Sequence, residues 1–109
     1  MYTVDEWNAL KFINNCDEVA CGKPYDIKKH AQILSPNQKK IVLNYLKRGK
    51  VMAVAAGGVY DYVIDDMTGI TIHAYTDDEY QWNTNEIYYF EHYDLALVPE
   101  FIEKVLKSA

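Results

Sequence analysis

The hydrophobic period of the chain changes at Gly49, and this change is the strongest constraint on the fold. Before it, residues 35–48 open with Ser35-Pro36, a capping serine and a proline suited to the first helical turn, and carry an apolar stripe at helical spacing. After it, residues 51–56 are apolar on both faces, as in a covered β-strand. The pattern predicts a helix that ends at a left-handed Gly49 and leads directly into a sheet.

The predicted sheet is an antiparallel meander of three or four strands. A bend or bulge at Gly57-Gly58 separates residues 51–56 from a second strand, in which Val59, Asp61 and Val63 share one face. The segments that follow are the second strand at 59–65, a hairpin loop at 66–69, a third strand at 70–76, a turn at 77–78 and a short strand at 79–82.

Helices are predicted on both sides of this sheet. Thr3 with Glu6 forms a capping box for a first helix ending near Asn15, and Asn83 with Glu86 repeats it for a helix to about residue 93. The other predictions are a loop at 17–25, a short helix at 26–33 and a last helix that begins at Pro99. The predicted fold class is α+β, with a three- to four-stranded antiparallel meander packed against N-terminal and C-terminal helices. Residues 1–109 are expected to form a single domain.

Composition places the chain among globular proteins. Of its 109 residues, 50% are apolar and 25% are charged, which lies outside the disordered regime and allows one core. The longest apolar run, residues 51–58, is shorter than a membrane span, and the N-terminal MYTVDEW lacks the basic start and apolar stretch of a signal peptide. We therefore expect a cytoplasmic protein with no membrane partner.

Charge is distributed unevenly along the chain. Residues 1–50 contain nine Lys or Arg and five Asp or Glu, a balance of +4, whereas residues 51–103 contain eleven Asp or Glu and no Lys or Arg. An acidic stretch of this length repels phosphate backbones, so direct nucleic-acid binding is not expected. A positively charged protein surface is the favoured partner, and an ordinary solvated face is the alternative.

No residue pattern in the sequence indicates catalysis or a cofactor. Cys16 and Cys21 favour two unpaired thiols over a disulfide or a zinc site, and no nucleophile or phosphate-loop motif is present. Several carboxylates could gather at one end of the meander as a cation site or an acid/base pair, although Asp is also favoured in turns. These carboxylates are Asp61, Asp65, Asp66, Asp77 and Asp78. We predict no enzyme activity, no cofactor and no metal.

Aromatic residues concentrate in the acidic half of the chain. Seven of the ten tyrosines, together with Trp82, lie between residues 51 and 94. Such rings provide large contact areas with few rotatable bonds, and binding hot spots are enriched in them. We assign Tyr45 and Tyr93 to the core. The rings that remain as candidates for an exposed docking surface are Tyr80, Trp82, Tyr88 and Tyr89.

Two segments resemble one group of small bacterial proteins. They are LSPNQKKIVLNYLKRGKVMAVAAGGVYDYV and TGITIHAYTDDEYQWNTNEIYYFEHYDLALVPEFI, which cover about residues 34–102. The resemblance is to immunity proteins encoded among polymorphic toxin loci, like those of contact-dependent growth inhibition systems. The group's pattern is a helix ending in Gly, an apolar strand, Thr-Asp-Gly, an aromatic with Trp-Pro, a Tyr-Tyr pair and Leu-Pro-Glu-Phe. Here Asp78 replaces the Gly, Asn83 the Pro and Val98 the Leu. The resemblance implies a non-catalytic inhibitor of a toxin domain, often a nuclease.

The hypothesis from the sequence is an immunity protein that binds and neutralises a cognate toxin by occluding a basic active-site cleft with an acidic, aromatic surface. The acidic residues expected to contact the toxin are Asp61, Asp77, Asp78, Glu79 and Glu86. The rings expected to supply buried contact are Tyr80, Trp82 and Tyr88. Two alternatives stay open: a self-associating adaptor module and a small carboxylate-dependent hydrolase.

Overall fold

A computed structural model of the protein describes residues 2–21 and 23–108, which form five helices and four strands. In chain order these are α1 (Val4–Ala9), β1 (Lys11–Phe12), α2 (Asp17–Ala20), α3 (Pro36–Lys47), β2 (Lys50–Asp61), β3 (Asp66–Thr76), β4 (Tyr80–Asn83), α4 (Thr84–Tyr93) and α5 (Pro99–Lys107). The α+β class predicted from the sequence is confirmed.

The four strands form one mixed sheet in the order β1-β4-β3-β2. β2, β3 and β4 are antiparallel neighbours, as predicted, but β1 pairs in parallel with β4, with Lys11 opposite Tyr80. The prediction of a purely antiparallel meander is therefore wrong. A strand of two residues is too short to carry an alternating pattern, so β1 has no signal of its own in the sequence.

β2 and β3 form a long hairpin whose turn lies four residues earlier than predicted. β2 continues through Gly57-Gly58, where a register shift confirms the predicted bulge, and residues 62–65 make the turn. The predicted strand at 59–65 and loop at 66–69 are therefore wrong in their boundaries. The cause is the Asp61 carboxylate, which accepts hydrogen bonds from the backbone N–H groups of Val63 (2.9 Å) and Ile64 (3.2 Å) and so closes a turn over apolar residues.

The N-terminal third of the chain differs most from the prediction. α1 starts with the predicted capping box but ends at Ala9 rather than near Asn15, because the chain then pairs as β1 and buries Ile13. α2 lies within the predicted loop, and the predicted helix at 26–33 is replaced by a turn and an isolated bridge between Ala31 and Leu95. Long-range pairing here overrides weak local helix signals.

The core lies between the sheet and the three C-terminal helices. α3 starts at the predicted Ser35-Pro36 signal, and α4 starts at the predicted capping box of Asn83 and Glu86. The helical side chains at the centre of the core are Val42, Leu46, Ile87, Phe90, Phe101 and Val105. The apolar stripes read from the sequence therefore face inward.

Gly49 is required by close packing rather than by a left-handed helix end. The cap of α3 is Arg48, and the glycines with positive φ in the described chain are Gly57 and Gly69. A Cβ at position 49 would lie 2.6 Å from the Trp82 ring. The predicted left-handed stop is therefore wrong, and the absence of a side chain allows the chain to pass against the indole.

Candidate protein-binding surface

Most of the rings predicted to dock on a partner lie in the core. Tyr80 and Trp82 point inward from β4 and are only 4% and 3% exposed. The indole Nε1 of Trp82 donates to the Leu46 carbonyl at 3.1 Å, and both rings pack against Phe101. Their predicted exposure is wrong because β4 lies between β1 and β3, and its inner face packs against Leu46 of α3 and Phe101 of α5. In the sequence, the alternation of Tyr80, Gln81 and Trp82 indicates that the two rings share one face of a strand and are buried together.

Tyr45 and Tyr93, which were assigned to the core, are only partly buried. Their rings pack against the core cluster, while their hydroxyl groups bind carboxylates. Tyr45 donates to Asp77 at 2.6 Å and Tyr93 donates to Asp61 at 2.7 Å. Each ring therefore contributes apolar packing and a charge-assisted hydrogen bond.

Asp61 is a buried structural carboxylate, only 1% exposed, so the exposed position predicted for it is wrong. It accepts hydrogen bonds from the hydroxyls of Tyr88 and Tyr93 in addition to the two N–H groups of the hairpin turn. Burial would raise the pKa of Asp61, but the hydrogen bonds from Tyr88 and Tyr93 outweigh it and lower the pKa. The hydrogen bond that the Tyr88 hydroxyl donates to this charged carboxylate raises the pKa of Tyr88 well above its ordinary value.

A third tyrosine of α4 holds the same part of the hairpin. Tyr89, which was predicted to be exposed, is 1% exposed, because its hydroxyl is used inside the fold. It donates to the carbonyl of Tyr60 at 2.6 Å and accepts from the N–H of Tyr62 at 3.1 Å. Three tyrosine hydroxyl groups of α4 thus fix the end of β2 and the start of the turn.

Glu86 is buried as well, at 2% exposure, so the exposed position predicted for it is wrong. Its carboxylate accepts from the backbone N–H of Asn83 at 3.1 Å, as a capping box requires, and from the side-chain amide of Asn14. Burial raises the pKa of Glu86 to about 8, although the hydrogen bonds from Asn83 and Asn14 oppose the shift. Glu86 therefore ties the N-terminal segment to the start of α4.

The acidic turn, residues 77–79, is neutralised within the fold. Asp77 accepts from Lys104 of α5 at 2.9 Å, and Glu79 pairs with the same lysine at 2.8 Å. Asp78 pairs with Lys50 of β2 at 2.6 Å. Burial would raise the pKa of Asp77, but hydrogen bonds led by that of Lys104 lower it. The negative field predicted for this turn is thus largely compensated, although Asp78 and Glu79 remain exposed.

The exposed apolar side chains lie on the hairpin instead. Six of the nine large apolar residues that the described chain exposes most belong to residues 51–70. Four of them form the hairpin tip, which we define as residues 62–67 together with Ile70: Val63, Ile64, Met67 and Ile70. Ile64 is 64% exposed. The sequence prediction missed this surface because it placed residues 59–65 in a strand.

The hairpin tip also carries two carboxylates, Asp65 and Asp66, both exposed. Within the described residues neither has a Lys or Arg partner. Asp65 accepts a hydrogen bond from the Tyr60 hydroxyl, and Asp66 accepts one from the N–H of Met67 at 2.8 Å. The tip is therefore apolar, acidic and without a neutralising cation.

A groove of about 240 Å³ lies beside the hairpin tip, between β3 and α4. Among the residues that line it are Ile70 and Tyr75 of β3 and Ile87 and Tyr88 of α4. Tyr88 is the one ring of the predicted docking set that keeps a partly exposed position. Its ring packs against the exposed His92. The groove adds an apolar depression to the surface formed by the tip.

Other sites considered from the sequence have simple structures. Cys16 is buried and Cys21 is exposed, and both are free. In residues 2–21 and 23–108, no group of three or more His, Cys, Asp or Glu could hold a metal ion. Among the same residues, no helix has the length and apolar character needed to cross a bilayer.

No protein-family model, no curated protein and no solved structure matches this chain.

Proposed function

We propose that this protein is an immunity protein that binds and neutralises a cognate bacterial toxin domain, a nuclease, and that the hairpin tip is its main contact surface. The observation that carries the proposal is the combination of four exposed apolar side chains with two unpaired carboxylates at one end of the hairpin. Exposed apolar residues gathered in one place favour protein interaction over simple solvation. The resemblance of residues 34–102 to immunity proteins supports the same class of partner.

The hydrogen bonds beneath the tip support a docking role. Asp61 fixes the backbone of Val63 and Ile64, and two tyrosines of α4 in turn hold Asp61. A surface that is ordered before binding loses less conformational entropy when a partner arrives. The tip is therefore suited to tight association.

Charge supports a basic partner. Asp65 and Asp66 are exposed, and residues 51–103 contain no Lys or Arg that would repel a positive surface. A nuclease binds phosphate backbones through a basic cleft, so an acidic tip is attracted to that cleft and competes with nucleic acid there. Contact through the tip would occlude the cleft, and the groove next to Tyr88 would receive an apolar side chain of the toxin.

The test uses the toxin domain encoded beside this protein's gene. We expect the purified protein to form a one-to-one complex with it and to abolish its nuclease activity at equimolar concentration. The absence of both a complex and inhibition would contradict the proposal. A carboxylate-dependent hydrolase would instead show stabilisation against heat by divalent cations alone.

Two isoleucine variants locate the contact. Ile64→Ala should weaken the complex by about 2 kcal/mol, roughly thirtyfold in Kd, because it removes an apolar anchor from the interface. Ile33→Ala is the matched control, since Ile33 is 87% exposed in a different segment. Equal binding by both variants would leave toxin binding intact as a function but would exclude the tip as its surface.

A further inference from the structure

β2 forms one outer edge of the sheet, and no other strand of the described chain covers it. Sheet edges are usually protected by charged residues, proline or bulges. Residues 51–60 of this strand contain no charged residue and no proline, and the pairing with β3 has register shifts between Val51 and Ala53, between Val54 and Gly58 and between Gly58 and Tyr60. Val51 and Val54 are 56% and 63% exposed. Residues 55–57 are exposed too and have no register partner on β3. The edge therefore offers backbone hydrogen-bonding groups and apolar side chains to another strand.

The charges at the two ends of this hairpin are opposite. Arg48 and Lys50 lie exposed at its base, where Lys50 is paired with Asp78 at 2.6 Å, and Asp65 and Asp66 lie exposed at its tip. The Arg48 side chain donates to the Asn44 carbonyl at 3.3 Å, and it has no carboxylate partner among the described residues. Within the part of the chain that the structure describes, the hairpin thus has an unpaired cation at its base, an apolar middle and two carboxylates without a basic partner at its tip.

Such an order is complementary to itself when two strands run antiparallel. Asp66 lies on β3 opposite Asp61, the last residue of β2, so the acidic tip of each hairpin then lies level with the base of the other. The two apolar middles face each other. A strand of 12 residues spans about 40 Å, which leaves room for a charge contact on each side of an apolar centre. Among the occupants of a free edge, a second copy of this chain is therefore the one that the charges favour.

We infer that β2 pairs antiparallel with β2 of a second copy, about a two-fold axis near Val54, and that Arg48 of each protomer meets Asp66 of its partner. The pairing joins the two sheets through their free edges and covers the exposed valines. This inference goes beyond the proposed function and does not depend on it, because the contact forms without a toxin. Asp66 belongs to both contacts, so the pairing and toxin binding compete for it.

Analytical ultracentrifugation of the purified protein over a range of concentrations tests the inference. The wild-type protein should form a dimer at high concentration. Arg48→Glu and Asp66→Lys should each raise the dimer Kd about tenfold, since each places two like-charge contacts in the symmetric interface. Lys40→Glu, a reversal at an exposed lysine of α3, is the matched control and should leave the Kd unchanged.

The double variant Arg48→Glu/Asp66→Lys provides the decisive comparison. It restores opposite charges at both contacts with their signs exchanged, so its dimer Kd should return to within about twofold of the wild-type value. An equimolar mixture of the two single variants should form heterodimers for the same reason. General damage to folding cannot be repaired by a second reversal of this kind.

Val54→Glu tests the apolar centre, because it brings two like charges together near the two-fold axis. It should give a monomer whose circular dichroism matches that of the wild type, since the side chain is exposed in the protomer. Three results would overturn the inference: a wild-type monomer at every concentration, a dimer that ignores all three single variants, or a double variant no stronger than its parents.

Discussion

The acidic turn and the hairpin tip are both Asp-rich turns at the end of a strand, yet they present different surfaces. Lysines from β1, β2 and α5 neutralise the acidic turn. No basic residue of the described chain reaches the carboxylates of the tip. The rings next to the acidic turn fill the core, whereas the apolar residues of the tip remain exposed. Charge segregation along a sequence therefore does not establish charge segregation in space.

The largest expected effect comes from the indole beside the acidic turn. Trp82→Ala should lower the free energy of unfolding by about 4 kcal/mol, because it leaves a large cavity and an unpaired Leu46 carbonyl. Urea titration measures this loss. If Trp82→Ala kept full stability and lost only toxin binding, Trp82 would belong to the docking surface after all.

The next effect concerns the anchor of the hairpin tip. Asp61→Ala should cost about 3 kcal/mol of unfolding free energy, since it leaves two tyrosine hydroxyls and two backbone N–H groups without their acceptor. Hydrogen exchange should then accelerate at Val63 and Ile64. Asp66→Ala is the matched control, because Asp66 is exposed and accepts one local hydrogen bond. Equal stability losses in both variants would contradict the assignment of Asp61 as the anchor.

The helix starts could be predicted from the sequence, whereas the burial of Asp61 could not. Helix starts follow local chemistry, so Ser35-Pro36 and the box of Asn83 and Glu86 located α3 and α4 correctly. The burial of Asp61 depends on hydroxyl groups of α4, whose positions only the folded chain defines. The prediction from charge placed this carboxylate on the exposed surface. Its position on the same face as Val59 was the one available sign of burial.

Most of the candidate surface could not be predicted from the sequence either, because its exposure depends on how the chain folds. Val63 and Ile64 look like core residues in the sequence, and they are exposed only because the hairpin turns at residues 62–65. Conversely, the neutralisation of the acidic turn needs lysines that lie far away in sequence, such as Lys11 and Lys104. Neither fact follows from local pattern alone.

A pH effect separates the buried carboxylate of α4 from the exposed ones. The pKa of Glu86 is raised from its ordinary 4.5 to about 8, so between these values the folded protein holds a proton that the unfolded chain has released. The stabilisation from this bound proton is fully present below the pKa of the unfolded chain. As the pH rises above that value, the free energy of unfolding falls by about 1.4 kcal/mol per pH unit. Comparison of urea titrations at pH 5, 6, 7 and 8, values chosen to span the window from about 4.5 to about 8, measures the slope.

Glu86→Gln should remove this slope. It also lowers the baseline stability, since one acceptor oxygen becomes a donor beside Asn14, so the slope is the relevant quantity. An unchanged dependence on pH in Glu86→Gln would assign the titration to another group.

The smallest effect is expected at the acidic turn itself. Glu79→Gln removes an exposed partner of Lys11 and Lys104, and exposed ion pairs contribute little. Its melting temperature and its affinity for the toxin should both match the wild type within error. A clear loss of toxin binding would return this turn to the contact surface.

The most direct test of the account is an NMR titration of the ¹⁵N-labelled protein with its cognate toxin domain. Amide shifts should change at the hairpin tip, residues 62–67 and Ile70, while those of the acidic turn at 77–79 should stay unchanged. Changes confined to residues 77–79, with the tip unaffected, would contradict it.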